Sequence, residues 1–111
     1  MNKWQPLTEV AQLKEIKEAS FERPQLIFKH SISCGISAQV NHMLQSSSDM
    51  LSAETDLHYL DLINYRSVSN EVAAEFGIVH QSPQVLLVKE GEVVYHTSHF
   101  SIRPEKILGA V

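Results

Sequence analysis

The sequence predicts an α/β fold: a four-stranded mixed sheet with helices on both faces, in the order α-β-α-β-α-β-β-α. Three observations carry this. Apolar residues fall in short blocks whose spacing alternates between extended and helical. Each strand-helix-strand unit requires a right-handed crossover and a parallel strand pair. Near the end of the chain, two extended segments flank Glu90-Gly91, a hairpin signal that adds antiparallel strands. A length of 111 residues suits one domain, residues 1–111, and is too short for two.

The elements follow in order. Thr8 and Glu9 precede the helical spacing of Val10, Leu13 and Ile16, so a helix is expected to run to about Ser20. In "LKEIKEAS", Lys14 and Glu18 form an i,i+4 pair on a solvated face. Pro24 punctuates the chain. "QLIFKH" then reads as a strand buried on both faces. A second helix starts at Cys34 or Gly35, with Ile36, Val40, Met43 and Leu44 at helical spacing. "QSSSDMLSAETD", residues 45–56, reads as a surface connection. "LHYLDLI", residues 57–63, is the next strand. "SNEVAAEFG", residues 69–77, is a short helix capped by Ser69 or Asn70 and stopped by Gly77. "QVLLVK" and "EVVYH" form the hairpin, and Pro104 opens a last helix in "RPEKILGAV".

Composition narrows the function classes. Apolar residues make up 43% of the chain, a globular rather than disordered composition. The net charge of −4, with no Lys/Arg run, argues against nucleic acid as a partner. No apolar run approaches the roughly 20 residues that span a bilayer, so no membrane role is expected. "MNKWQPLTEV" has no apolar core of a secretory signal, and one cysteine cannot build a disulfide framework. Both features point to a reducing, cytoplasmic setting.

That one cysteine, Cys34, lies where a strand passes through "KHSIS" into a helix. A helix start leaves backbone N–H groups unpaired and carries about half a positive charge, which stabilises a thiolate. Lys29 and His30 end the preceding strand and are expected to add positive potential. Ser37, three residues along the helix, is expected to donate a hydrogen bond to the sulfur. Gly35 leaves the sulfur uncrowded. A lone cysteine is often an inert buried hydrophobe, but the strand-to-helix position favours a reactive thiol.

Cys34-Gly35-Ile36-Ser37, a CxxS motif, followed much later by Pro83 before a hairpin, resembles the thioredoxin-like (glutaredoxin-like) superfamily. "FKHSISCGIS" and "HFSIRPEKIL" resemble more closely the YtxJ-like monothiol bacilliredoxin family, over nearly the whole chain. That family usually has proline where this chain has Gly35. The resemblance implies catalysis by Cys34, supported by Gly35, Ser37, Pro83, Lys29 and His30, with Pro83 in the place of a cis-proline. It implies removal of bacillithiol, a low-molecular-weight thiol acting as co-substrate, from client proteins with S-thiolated cysteines. A strand-like client segment would pair with the backbone of Gln81 and Ser82. No bound cofactor is implied.

Other readings stand beside this one. The chain could be a thioredoxin-fold binding module in which Cys34 is incidental. It could be an iron–sulfur carrier, since some CxxS glutaredoxin-like proteins bridge a cluster between two chains. His30 serves equally as a strand cap or as a tuner of Cys34, and Pro83 also reads as an ordinary edge-strand proline. Trp4 reads as packing. The six histidines are scattered, with no second cysteine to complete a tetrahedral set, so no metal site is assigned.

Overall fold

The structure, a computed structural model, describes residues 3–111. Its strands are β1 (Trp4–Pro6), β2 (Gln25–His30), β3 (Asp56–Asp61), β4 (Gln84–Lys89) and β5 (Glu92–Ser98). Its helices are α1 (Ala11–Ala19), α2 (Gly35–Ser46), α3 (Ser48–Ser52), α4 (Arg66–Phe76) and α5 (Pro104–Ala110). A 3₁₀ turn at His99–Ser101 joins β5 to α5.

The sheet has five strands rather than four, in the order β1-β3-β2-β4-β5. β1 and β2 both run parallel to β3, while β4 is antiparallel to β2 and β5. The extra strand, β1, is three residues long and includes a proline, so it has no period-2 pattern to read. Proline is tolerated there because β1 is an edge. β2 lies at the centre, and all six of its residues are buried: the apolar Leu26, Ile27 and Phe28, and the polar Gln25, Lys29 and His30 as well.

The sheet separates two apolar layers. On one face, Phe28, Leu26, Val85 and Leu87 pack against Val40 and Leu44 of α2, Leu51 of α3 and Ile107 of α5. On the other, Ile27, Leu60, Leu86 and Val88 pack against Leu13 and Ile16 of α1 and Val68 and Val72 of α4. Trp4 belongs to the first layer, edge-on to Phe28 with ring centroids 6.0 Å apart, and its indole N–H donates to Ser48 Oγ at 2.8 Å.

Several boundaries differ from the sequence expectations, each for a local reason. The 45–56 connection contains α3, whose Leu51 is fully buried; polar neighbours hide that single anchor. α1 begins at Ala11, and Thr8 does not cap it. Instead the Gln12 side chain accepts the N–H groups of Thr8 and Glu9 at 2.8 and 2.9 Å. α4 begins three residues before Ser69, which is buried inside it. β3 ends at Asp61, whose carboxylate accepts the side-chain N–H of Asn64 at 2.7 Å in the turn that follows.

Two terminators act as the sequence implied. Gly77 stops α4 at φ 67°, and Glu90 and Gly91 turn the hairpin with φ of 52° and 81°. The hairpin tip is tied to the end of α1: Ser20 accepts the Glu90 N–H through its carbonyl and the Gly91 N–H through its hydroxyl.

Candidate active site

Cys34 is the N-cap of α2. Its backbone is extended, at φ −108° and ψ 123°, and its carbonyl accepts the Ala38 N–H at 3.0 Å to begin the helix. No side chain caps the first-turn amides of α2, which begin beside Cys34. Cys34 is half-buried, accessible to a reactant and not sealed in the core. A Cβ built on Gly35 would meet no residue beyond its own chain neighbours and helix backbone within 4 Å, so the space beside Gly35 is open.

Ser37 does something other than what its spacing implied. It is fully buried. Its Oγ lies 2.6 Å from His30 Nδ1 and accepts the Ser31 N–H at 3.0 Å. Among the described residues it makes no hydrogen bond to the Cys34 sulfur. The serine therefore ties the end of β2 and the first loop residue to α2, and fixes the loop on which Cys34 stands.

The two basic residues separate. His30 points to the α2 face and packs its ring against Phe28 and Tyr59 at 5.7 and 5.6 Å between centroids. Burial lowers its pKa below the usual 6.5, with Asp61 opposing, so at neutral pH it is an uncharged imidazole. Lys29 points to the opposite face, because successive strand residues alternate. Its side chain is fully buried, and its Nζ donates to the Ser69 carbonyl at 3.2 Å and to His80 Nδ1 at 3.3 Å. Burial lowers the Lys29 pKa to about 8. Neither residue thus places a cation against the sulfur as expected; one is neutral and the other is across the sheet.

Pro83 comes to the same end of the sheet as Cys34. Lys29 pairs with Gln84, so His30 and Pro83 are next along two adjacent strands, where the loop toward Cys34 begins. The Ser82–Pro83 peptide bond is cis, and the Pro83 carbonyl accepts the His99 N–H at 3.0 Å. Gln81 and Ser82 approach this point as backbone. The Gln81 N–H meets Gln84 Oε1 at 3.4 Å, and Ser82 Oγ is buried with no hydrogen-bond partner among the described residues. Sequence reasoning missed His80 and Gln84. His80 gains its role from a contact with Lys29 51 residues away, and Gln84 is placed by its pairing with Lys29 although its own bonds, to Val79 and Gln81, are local.

The profile of a known protein family, described as monothiol bacilliredoxin BrxC, matches residues 5–107. This chain belongs to the monothiol bacilliredoxin family. Structural comparison agrees on the fold. A solved protein described as "a putative oxidoreductase with a thioredoxin fold" is 23% identical, with a TM-score of 0.84 over 97% of this chain and 93% of that one. Thioredoxin from Malassezia sympodialis is 15% identical, with a TM-score of 0.76 over 99% and 89%. Mitochondrial thioredoxin 3 from Saccharomyces cerevisiae is 13% identical, with a TM-score of 0.74 over 96% and 91%. At these identities the solved structures establish the thioredoxin-like fold; the family match establishes a monothiol redox protein. Within this bacilliredoxin, Cys34 is the only thiol available. Among the described residues, no helix is long and apolar enough to cross a membrane.

Proposed function

We propose that this bacilliredoxin removes bacillithiol from mixed disulfides on cytoplasmic client proteins, with Cys34 as nucleophile. The observation that carries the reading is the position of Cys34, a half-exposed thiol at an uncapped helix start, at the sheet end shared with Pro83. The Cys34 thiolate attacks the bacillithiol sulfur of the client's mixed disulfide. The client S–S bond breaks, the client cysteine leaves as a thiolate, and a Cys34–bacillithiol disulfide forms. A second bacillithiol thiolate attacks that disulfide, forming bacillithiol disulfide and regenerating the Cys34 thiolate. With one cysteine, the protein has no internal route to this second step. The client segment lies along Gln81 and Ser82 as an added strand.

Intact-mass spectrometry after incubation with an S-bacillithiolated protein tests the proposal. The expected product is the parent chain plus one bacillithiol on Cys34, together with the reduced client, and Cys34→Ser gives neither. Equal transfer from glutathionylated and coenzyme A-linked clients would remove the bacillithiol assignment. No adduct from any of the three would remove the catalytic one.

A further inference from the structure

Lys29 is a buried ammonium with no carboxylate partner. Its polar contacts are a helix carbonyl and an imidazole, and no ion pair among the described residues includes it. Burying a charge without a counter-ion costs stability, so a role besides packing is indicated. The surroundings supply one. Lys29 on β2 and Gln84 on β4 are direct cross-strand partners, so they project to the same face, and both are buried. Both reach the same loop, residues 77–83. Lys29 Nζ meets His80 Nδ1, while the Gln84 side-chain N–H donates to the Val79 carbonyl at 3.0 Å and its Oε1 faces the Gln81 N–H. The Ser69 carbonyl holds the other side of the ammonium and ties the assembly to α4.

We propose that the buried Lys29 and Gln84, with the half-buried His80, form a clamp that sets the backbone of Gln81 and Ser82 for pairing with a client strand. These are positioning residues: they lie on the α4 side of the sheet, whereas Cys34 lies on the α2 side. The proposal rests on the client-pairing mode given above. An ammonium only donates, so His80 Nδ1 is its acceptor, and the imidazole is the neutral form protonated at Nε2. Burial lowers the His80 pKa, and Lys29 and Arg66, the charged groups facing it, lower it further. The clamp is therefore complete between the lowered His80 pKa and the Lys29 value of about 8. Below that range two cations repel, and above it the charge-assisted bond is lost.

The test compares His80→Leu with His80→Asn, whose side-chain oxygen can take the place of Nδ1. Two substrates are used, a short S-bacillithiolated peptide and bacillithiol disulfide alone, and single-turnover formation of the Cys34–bacillithiol adduct is followed for each by quenched intact mass. In His80→Leu we expect the second-order rate constant for adduct formation from the peptide, relative to the small disulfide, to fall about tenfold, as for one lost charge-assisted hydrogen bond. His80→Asn restores most of that ratio. An unchanged ratio in His80→Leu overturns the clamp. So does an equal fall for both substrates, which marks a general structural effect. If the parent protein forms an adduct from neither substrate, the proposed function falls, and the clamp is judged by NMR. The Gln81 and Ser82 amide resonances are expected to move in His80→Leu and return in His80→Asn; amides that stay in place overturn it.

Discussion

At the residue scale, Ser37 explains why a CxxS motif is more than a CxxC with its second sulfur removed. The hydroxyl lies against His30 Nδ1 and the Ser31 N–H, and a thiol satisfies both poorly. Ser37→Cys is therefore expected to cost about 1–3 kcal/mol in the reduced state, the usual penalty for leaving buried polar groups unpaired. The substitution also places two sulfurs at one helix start, three residues apart. Under mild oxidation the variant is expected to lose two hydrogens by intact mass, while the parent yields only adducts or dimers. Urea unfolding of the reduced variant checks the first effect. Two free thiols persisting after oxidation would contradict the second.

At the element scale, the first turn of α2 is where this chain departs from its family's usual residue. Gly35 sits at the first helical position, where a proline's missing N–H costs no helix bond and its fixed φ suits the turn. Nothing lies within 4 Å of a Cβ there. Gly35→Pro is expected to raise stability by roughly 0.5–1 kcal/mol, by restricting the unfolded chain more than the folded one. A urea midpoint that falls in this variant would mean the Gly35 N–H has a use in the folded loop that the geometry does not reveal.

At the scale of the whole molecule, buried titratable groups set how stability depends on pH. His30, His58 and His80 all have pKa values lowered by burial. As pH falls below 6.5 the unfolded chain takes up protons on these residues before the folded one does, so stability falls. Lys29 acts in the same sense at the other end. Between about 8 and 10.5 its folded form is neutral while its unfolded form is charged, so stability rises with pH. Near and above 10, Tyr59, whose pKa is raised by burial and by Asp61, reverses the trend, because the folded state then holds the extra proton. Lys29→Met is expected to remove the rise between 8 and 10.5. At pH 7 it should stabilise the fold by up to about 3 kcal/mol, the cost implied by the lowered pKa. Urea titrations of both proteins across this pH range measure both effects. A parent profile flat between pH 8 and 10.5 would show that the folded state does not lower the Lys29 pKa.

What the sequence determined by itself was local. The apolar Leu26-Ile27-Phe28 of β2, the hairpin turn at Glu90-Gly91, the stop at Gly77, the Pro104 helix start and the helix following Cys34 are all written in neighbouring residues. The thiol's place at the start of α2 was legible for the same reason. What required the tertiary structure were contacts between residues far apart in the chain. β1 becomes a strand only because β3 offers it an edge, and α3 is anchored by its one buried side chain, Leu51, with Trp4 bonded to Ser48. The separation of Lys29 from His30 follows strand alternation, but which face each would meet depended on where α2 and α4 packed. His80 meets Lys29 across 51 residues, through a pairing register that no local pattern encodes. Periodicity reports which side of an element is buried; only the assembled sheet decides against what.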